Sequence, residues 1–85
     1  PRPPRLTEDT RLALREAMHP ERAWILELAD LPPRARRERI QERIRARALD
    51  LLATSGELTT AELEHLHGLD ERALVPALRR LAGAR

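Results

Sequence analysis

Four arginines lie at a spacing that lets one anionic ligand contact them all. They occur within the segment PRARRERIQERIRARALDLL and are Arg36, Arg39, Arg43 and Arg47. On a helix, intervals of three and four residues place them in one stripe, where like charges repel each other. Guanidinium groups bind phosphate and carboxylate oxygens through paired hydrogen bonds. The stripe therefore predicts an anionic partner lying over it.

Two kinds of anion satisfy this prediction. The first is the phosphate backbone of duplex nucleic acid, whose binding would depend strongly on salt and little on base sequence. The second is a set of carboxylates from the protein's own helices or from another chain, and this sequence supplies fourteen of them. A run of charge on a helix is usually solvated or paired internally, so the second interpretation is favoured for the stripe taken alone.

A smaller basic cluster lies near the end of the chain. It contains Arg79, Arg80 and Arg85, and Arg72 precedes it in the same predicted helix. The stripe and this cluster could both contact one duplex if their side chains lay on the same side of the domain. The predicted nucleic-acid-binding residues are Arg36, Arg39, Arg43, Arg47, Arg72, Arg79 and Arg80.

The remaining polar residues do not form a catalytic or metal-binding motif. His65 and His67 alternate on a helix, so their rings point roughly 200° apart and cannot chelate one metal ion. Ser55 and the threonines lie at or near predicted helix ends, where they act as caps. The three glycines form no loop that would cradle a phosphate. We therefore expect no enzymatic activity, no metal site and no cofactor.

Composition narrows the classes of protein further. The chain has 85 residues, a net charge of +2, no cysteine and a single aromatic residue, Trp24. A chain of this length forms one small domain with limited burial. With one aromatic ring it cannot stack a run of unpaired bases, which excludes most single-strand binding modes. No apolar run is long enough to span a membrane, so the cytoplasm is the expected compartment.

Helical periodicity dominates the chain, and no segment alternates as a strand does. We predict a disordered arm at residues 1–6 and one all-α domain of five helices at residues 7–85. Its parts are two short helices within 7–31, a long basic helix at 34–54 and a pair of helices within 59–82. The predicted N-caps are Thr7, Thr59 or Thr60, and Asp70. Gly56 should end the long helix, and Pro76 should kink the last helix or delay its start.

Residues 46–81 resemble the trihelical core of helix-turn-helix and winged-helix DNA-binding domains. The resemblance rests on the segments ALDLLATSG, ELTTAELEHLHG and LDERALVPALRRL. It implies that Leu63 packs the second helix, that Gly68 lies in the turn, and that Leu74, Leu78 and Leu81 anchor the third. It also implies that the third helix enters the major groove. No residues for a β-wing follow LAGAR, so a wingless domain is expected.

These observations lead to a nucleic-acid-binding or transcription-regulatory protein that contacts duplex DNA mainly through arginine and phosphate. A homodimer is one expected form, because such modules commonly read paired half-sites. The alternative is a helical docking adaptor, or accessory subunit, that binds a larger protein without nucleic acid.

The adaptor is supported by Asp70 and Glu71, which bring negative charge to the start of the last helix. Its docking residues would be Trp24, Ile25, Leu28 and Leu31, although burial in the protein's own core explains the same pattern. An exposed Trp24 would favour the adaptor, and a buried Trp24 would favour the arginine surface.

Overall fold

The computed structural model describes residues 5–83, which form five α-helices and no β-strand. The helices are α1 (Glu8–Ala17), α2 (Arg22–Glu27), α3 (Pro33–Ser55), α4 (Thr60–Gly68) and α5 (Glu71–Leu81). The prediction of an all-α fold with five helices is confirmed. α2 is shorter than the pattern suggested, because the chain leaves it at Glu27 and continues through turns to Leu31.

Side-chain caps determine where three of the helices begin. The Thr7 hydroxyl accepts a hydrogen bond from the backbone N–H of Thr10 at the start of α1. Thr59 and Glu62 form a reciprocal capping box at the start of α4. The Asp70 carboxylate accepts from the backbone N–H of Ala73 at the start of α5. These caps satisfy N–H groups that have no partner within a helix, as the sequence predicted.

The other four helices all pack on α3, and its two halves bury different kinds of residue. The carboxyl-terminal half contributes Ala48, Leu49 and Leu52 to the apolar core. The amino-terminal half carries most of the arginines and has no residue in that core. The buried members of the core from the rest of the described chain are Leu6, Leu14, Leu58, Leu66, Leu74, Leu78 and Ala82. α1, α4 and α5 are therefore held by apolar packing.

The ordered chain begins before α1. Leu6 is only 4% exposed and belongs to the core. Arg5 forms an ion pair with Glu62 at 3.3 Å. Leu6, which the predicted arm included, therefore packs in the core, and burying a leucine side chain stabilises a fold by about 1.5–3 kcal/mol. Residues 1–4 of the predicted arm lie outside the described residues.

Pro76 lies inside α5 and does not end it. The helix begins at Glu71 and continues through Pro76 to Leu81. Pro76 is exposed, so its ring projects away from the core, while Leu74 and Leu78 on either side are buried. Its missing N–H leaves the carbonyl of Arg72 without the usual intrahelical donor. The last helix therefore starts where Asp70 caps it and carries the proline in its interior.

Two glycines at helix ends should respond to alanine with opposite signs. Gly56 follows α3 with a left-handed φ of 71°, whereas Gly68 is the last residue of α4 and has no positive φ. We expect Gly56→Ala to destabilise the fold by about 1 kcal/mol, and Gly68→Ala to stabilise it by about 0.5 kcal/mol. Urea unfolding measures both changes in the free energy of unfolding, provided that its dependence on urea concentration is the same in the variants and the wild type. A destabilised Gly68→Ala variant would contradict the helical conformation assigned to that residue.

Glu57 should make stability depend on acid pH. The Thr10 side chain and the Thr7 backbone N–H hydrogen-bond the Glu57 carboxylate and lower its pKa below the usual 4.5. The charged form is therefore favoured by folding, and this stabilisation is present above pH 4.5 and lost as pH falls through the lower folded pKa. We expect Glu57→Gln to be less stable than the wild type at pH 7, with the difference shrinking below pH 4.5. Urea unfolding across this range measures it.

Thr10→Val serves as the control for Glu57, because it removes one of the hydrogen-bond donors to Glu57 and keeps the carboxylate. It should weaken the same pH dependence without abolishing it. An equal stability gap between wild type and Glu57→Gln at every pH would show that the loss comes from packing and not from charge.

Candidate nucleic-acid interface

Three of the four stripe arginines contact α2. Arg36 lies near the start of α3, and Arg43 and Arg47 lie about two and three helical turns further along. All three bond or stack on residues between Glu21 and Leu31. The fourth, Arg39, is exposed and has no ion pair or hydrogen bond within residues 5–83. The stripe is thus mostly an internal contact surface.

Two guanidinium groups lie over the ring of Trp24. The Arg43 guanidinium carbon is 4.9 Å from the centre of the indole ring, and that of Arg47 is 4.8 Å from it. Trp24 is only 7% exposed, although it is not part of the main apolar core. Cation–π attraction of this kind strengthens as the pair loses water. The two arginines therefore supply much of the environment that buries Trp24.

Carboxylates of α2 and its N-cap pair with the same two arginines. Arg43 Nη1 lies 3.1 Å from Glu27 Oε2, and Arg47 Nη1 lies 3.3 Å from Glu21 Oε1. All four side chains remain partly exposed, between 37% and 63%. Exposed pairs of this kind contribute little to stability. In the free protein the anions over Arg43 and Arg47 are the protein's own.

Three other arginine contacts close the carboxyl ends of helices. Arg36 donates to the carbonyl oxygens of Leu28, Ala29 and Leu31 after α2. Arg45 donates to those of His67 and Leu69 at the end of α4. Arg15 donates to the carbonyl of Ala82 after α5. These bonds satisfy carbonyl groups without a helical donor and place positive charge at the negative end of each helix dipole.

Sequence reasoning missed Arg15 and Arg45. Their partners lie 67 and 22 to 24 residues away along the chain, so local spacing carries no signal for them. Arg36 was predicted to contact phosphate. In this structure its side chain instead donates to carbonyl groups that follow α2.

The arginines of α5 have no partner among the described residues. Arg72, Arg79 and Arg80 are all exposed, and none forms an ion pair or hydrogen bond there. The exposed residues of this helix are Arg72, Ala73, Pro76, Arg79 and Arg80. They carry no acidic side chain, so the outer surface of α5 is positively charged. Arg85 of the predicted cluster lies outside the described residues.

The two carboxylates at the start of α5 are partly withdrawn from this surface. Asp70 is occupied as the N-cap, where its charge meets the positive end of the helix dipole. Glu71 is partly buried and lines a groove of about 500 Å³ between α1, α3 and α5, next to Arg15 and Arg45. The Asp70 carboxylate is therefore engaged by the helix, while Glu71 lies partly buried in a groove that Arg15, Arg45 and Arg79 also line.

The predicted docking stripe is mostly covered. Trp24 is buried, and Leu28 and Leu31 are partly buried. Ile25 is 39% exposed, and its neighbour Leu26, which was not among the predicted docking residues, is 65% exposed. Only a short apolar ridge of α2 is therefore open to a protein partner.

The part of the chain that the structure describes contains neither a metal-binding cluster nor a membrane-spanning helix. No three histidine, aspartate or glutamate side chains there are grouped so that they could hold a metal ion. His65 and His67 are both exposed. Among residues 5–83 no helix combines the length and apolarity needed to cross a membrane.

Comparison of the chain with protein-family models, with curated proteins and with solved structures finds no match.

Proposed function

We propose that this chain is a small duplex-DNA-binding module whose last helix, α5, contacts phosphate groups through Arg72, Arg79 and Arg80. The observation that carries the proposal is the difference between the two arginine clusters. The α3 stripe is largely occupied by α2, whereas the arginines of α5 are exposed and unpaired within residues 5–83. Unpaired guanidinium groups on one surface are suited to a row of phosphates.

The arrangement around α5 supports this proposal. Links of four and two residues join α3 to α4 and α4 to α5, and buried Leu66, Leu74 and Leu78 fix α4 and α5 to the core. A helix anchored on one side by leucines can present its outer surface to a groove without unfolding. Helix-turn-helix proteins use their third helix in this way. A role in transcription regulation would follow from such binding, and a homodimer would allow it to read paired half-sites.

The binding mechanism we propose is electrostatic. Arg72, Arg79 and Arg80 would each neutralise a phosphate and release condensed counterions, which supplies most of the affinity. Pro76 and Ala73 lie on the same exposed surface and add no charge. Such a surface positions the protein on a duplex and carries little base discrimination by itself. We therefore expect modest sequence preference.

Salt dependence tests this function. The three α5 contacts by themselves contribute about −2.7 to the slope of the logarithm of the association constant against the logarithm of salt concentration, and any further arginine that engages makes the slope steeper. Between 50 and 200 mM salt this slope lowers affinity by about 40-fold. Fluorescence anisotropy of a labelled duplex, measured with the purified chain, gives both quantities. Affinity that stays the same across this range would refute the proposal.

A docking adaptor that binds a larger protein is the second candidate function, and one observation favours it. Ile25 and Leu26 form an exposed apolar pair on α2. A larger protein with an apolar groove would bury both, and Ile25→Ser with Leu26→Ser would then abolish complex formation while leaving duplex affinity unchanged. Co-purification of wild type and variant with a partner identified by crosslinking tests this candidate. Equal recovery of that partner by both proteins would exclude the ridge as its docking site.

A further inference from the structure

We propose that the arginine stripe of α3 is a second phosphate-binding surface, which α2 covers in the free protein. Glu21 and Glu27 hold the positions over Arg47 and Arg43 that backbone phosphates of a nucleic acid would take. When phosphates replace these carboxylates, α2 leaves the stripe. The inference rests on the proposed function only for the identity of the polyanion, because the contacts that hold α2 do not involve α5.

Little apolar packing opposes the departure of α2. The helix has six residues, and Trp24 is its single buried one. Trp24 lies outside the main apolar core, while Ile25 and Leu26 already face solvent. A helix of this length is not stable by itself and depends on its tertiary contacts. α2 therefore stays in place chiefly through its contacts with arginine.

Each of those contacts is one that phosphate can replace. The pairs of Arg43 with Glu27 and of Arg47 with Glu21, at 3.1 and 3.3 Å, join side chains that are partly exposed, so salt weakens them. Arg47 Nη1 is itself buried and makes no hydrogen bond within residues 5–83, so the Glu21 carboxylate satisfies it only partly. A phosphate offers several acceptor oxygens to one guanidinium group. A duplex also offers consecutive phosphates, whose counterions are released together. The exchange therefore favours the polyanion when several arginines are engaged at once.

Displacement of α2 would free a third arginine. Arg36 now donates to three carbonyl groups that follow α2, and these bonds break when the segment moves. Arg36 would then join the exposed Arg39 beside Arg43 and Arg47. The segments flanking α2 contain Pro20 and Pro32, which have no N–H group and so give fewer backbone hydrogen bonds to hold them. The uncovered surface would present four guanidinium groups in a row.

Trp24 reports directly on this exchange, since it is the single tryptophan of the chain. In the covered state it is 7% exposed and two guanidinium groups lie over its ring. Inorganic polyphosphate is the first probe, because it has no bases that could stack on the indole ring. At saturation we expect Trp24 emission to move to longer wavelength and acrylamide quenching to increase severalfold. A short GC-rich duplex is the second probe and should cause the same change.

A matched pair of double variants separates displacement from net charge. Glu21→Gln with Glu27→Gln removes the carboxylates that compete with phosphate. Glu16→Gln with Glu64→Gln makes the same charge change at exposed sites on α1 and α4. We expect the first variant to bind polyphosphate about three- to tenfold more tightly than the second, in line with two exposed ion pairs. Circular dichroism of both variants verifies that the other helices remain folded.

Protection of Trp24 at saturating polyphosphate, or equal affinity of the two double variants, would overturn the inference. Salt-sensitive duplex binding with Trp24 still protected would also overturn it, while leaving the proposed function of α5 intact. Exposure of Trp24 by polyphosphate together with no affinity for duplex would support the covered surface and refute the DNA proposal.

Discussion

Replacing Leu14 with alanine is expected to lower the free energy of unfolding by about 2–5 kcal/mol. Leu14 is fully buried and joins α1 to the core formed by α3 and α5. The substitution removes apolar contacts and leaves a cavity that the surrounding helices can fill only in part. A domain of this size is stable by about 4–13 kcal/mol, so a large share would be lost. Urea unfolding followed by circular dichroism measures the change.

Leu26→Ala is the control for Leu14→Ala, because the same side chain is deleted from a position that is 65% exposed. Its effect should stay within about 0.5 kcal/mol. A Leu14→Ala variant as stable as the control would mean that α1 is not part of the cooperative core. The three helices α3 to α5 would then fold without it.

Removing the three arginines of α5 is expected to lower duplex affinity more than about a hundredfold at 50 mM salt. The variant carries Arg72→Gln, Arg79→Gln and Arg80→Gln. Each lost phosphate contact should also reduce the salt slope by about 0.9, so that the slope attributable to α5 disappears. All three side chains are exposed and unpaired within the described chain, so the fold should remain intact. Anisotropy at several salt concentrations measures affinity and slope together.

The matched control removes three arginines from other helices. Arg22→Gln, Arg34→Gln and Arg37→Gln change the net charge by the same amount at exposed sites on α2 and α3. We expect its affinity to fall much less than that of the α5 variant. Equal losses would show that total charge, and not the surface of α5, governs binding.

The helices and their caps could be predicted because their causes are local. Thr7, Glu62 and Asp70 act within three residues of the N–H groups they satisfy, and the same spacing is visible in the sequence. The resemblance to a trihelical core implied that Leu74, Leu78 and Leu81 anchor the last helix, and the structure buries the first two fully and the third partly. Pro76 needed the structure, because a proline in an exposed helical position is compatible with both a kink and a continuous helix.

The candidate site could be predicted only in part. The sequence indicated an anionic partner for the stripe and left its identity open between phosphate and carboxylate. The structure places Glu21 and Glu27 over Arg47 and Arg43, which requires α2 to fold back onto α3. No local sequence pattern predicts that α2 packs against α3. None predicts that Arg45 donates hydrogen bonds to carbonyl groups at the end of α4. Sequence spacing thus identified the charged residues, and tertiary packing determined which of them remain exposed.

The most direct test of DNA binding by α5 is an amide chemical-shift titration of isotope-labelled protein with a short duplex at low salt. We expect that the amide signals of residues 71–83 and the Nε–H signals of Arg72, Arg79 and Arg80 shift progressively, and that added salt reverses the shifts. A titration in which these signals stay in place at saturating duplex, whether or not others move, would contradict DNA binding by α5.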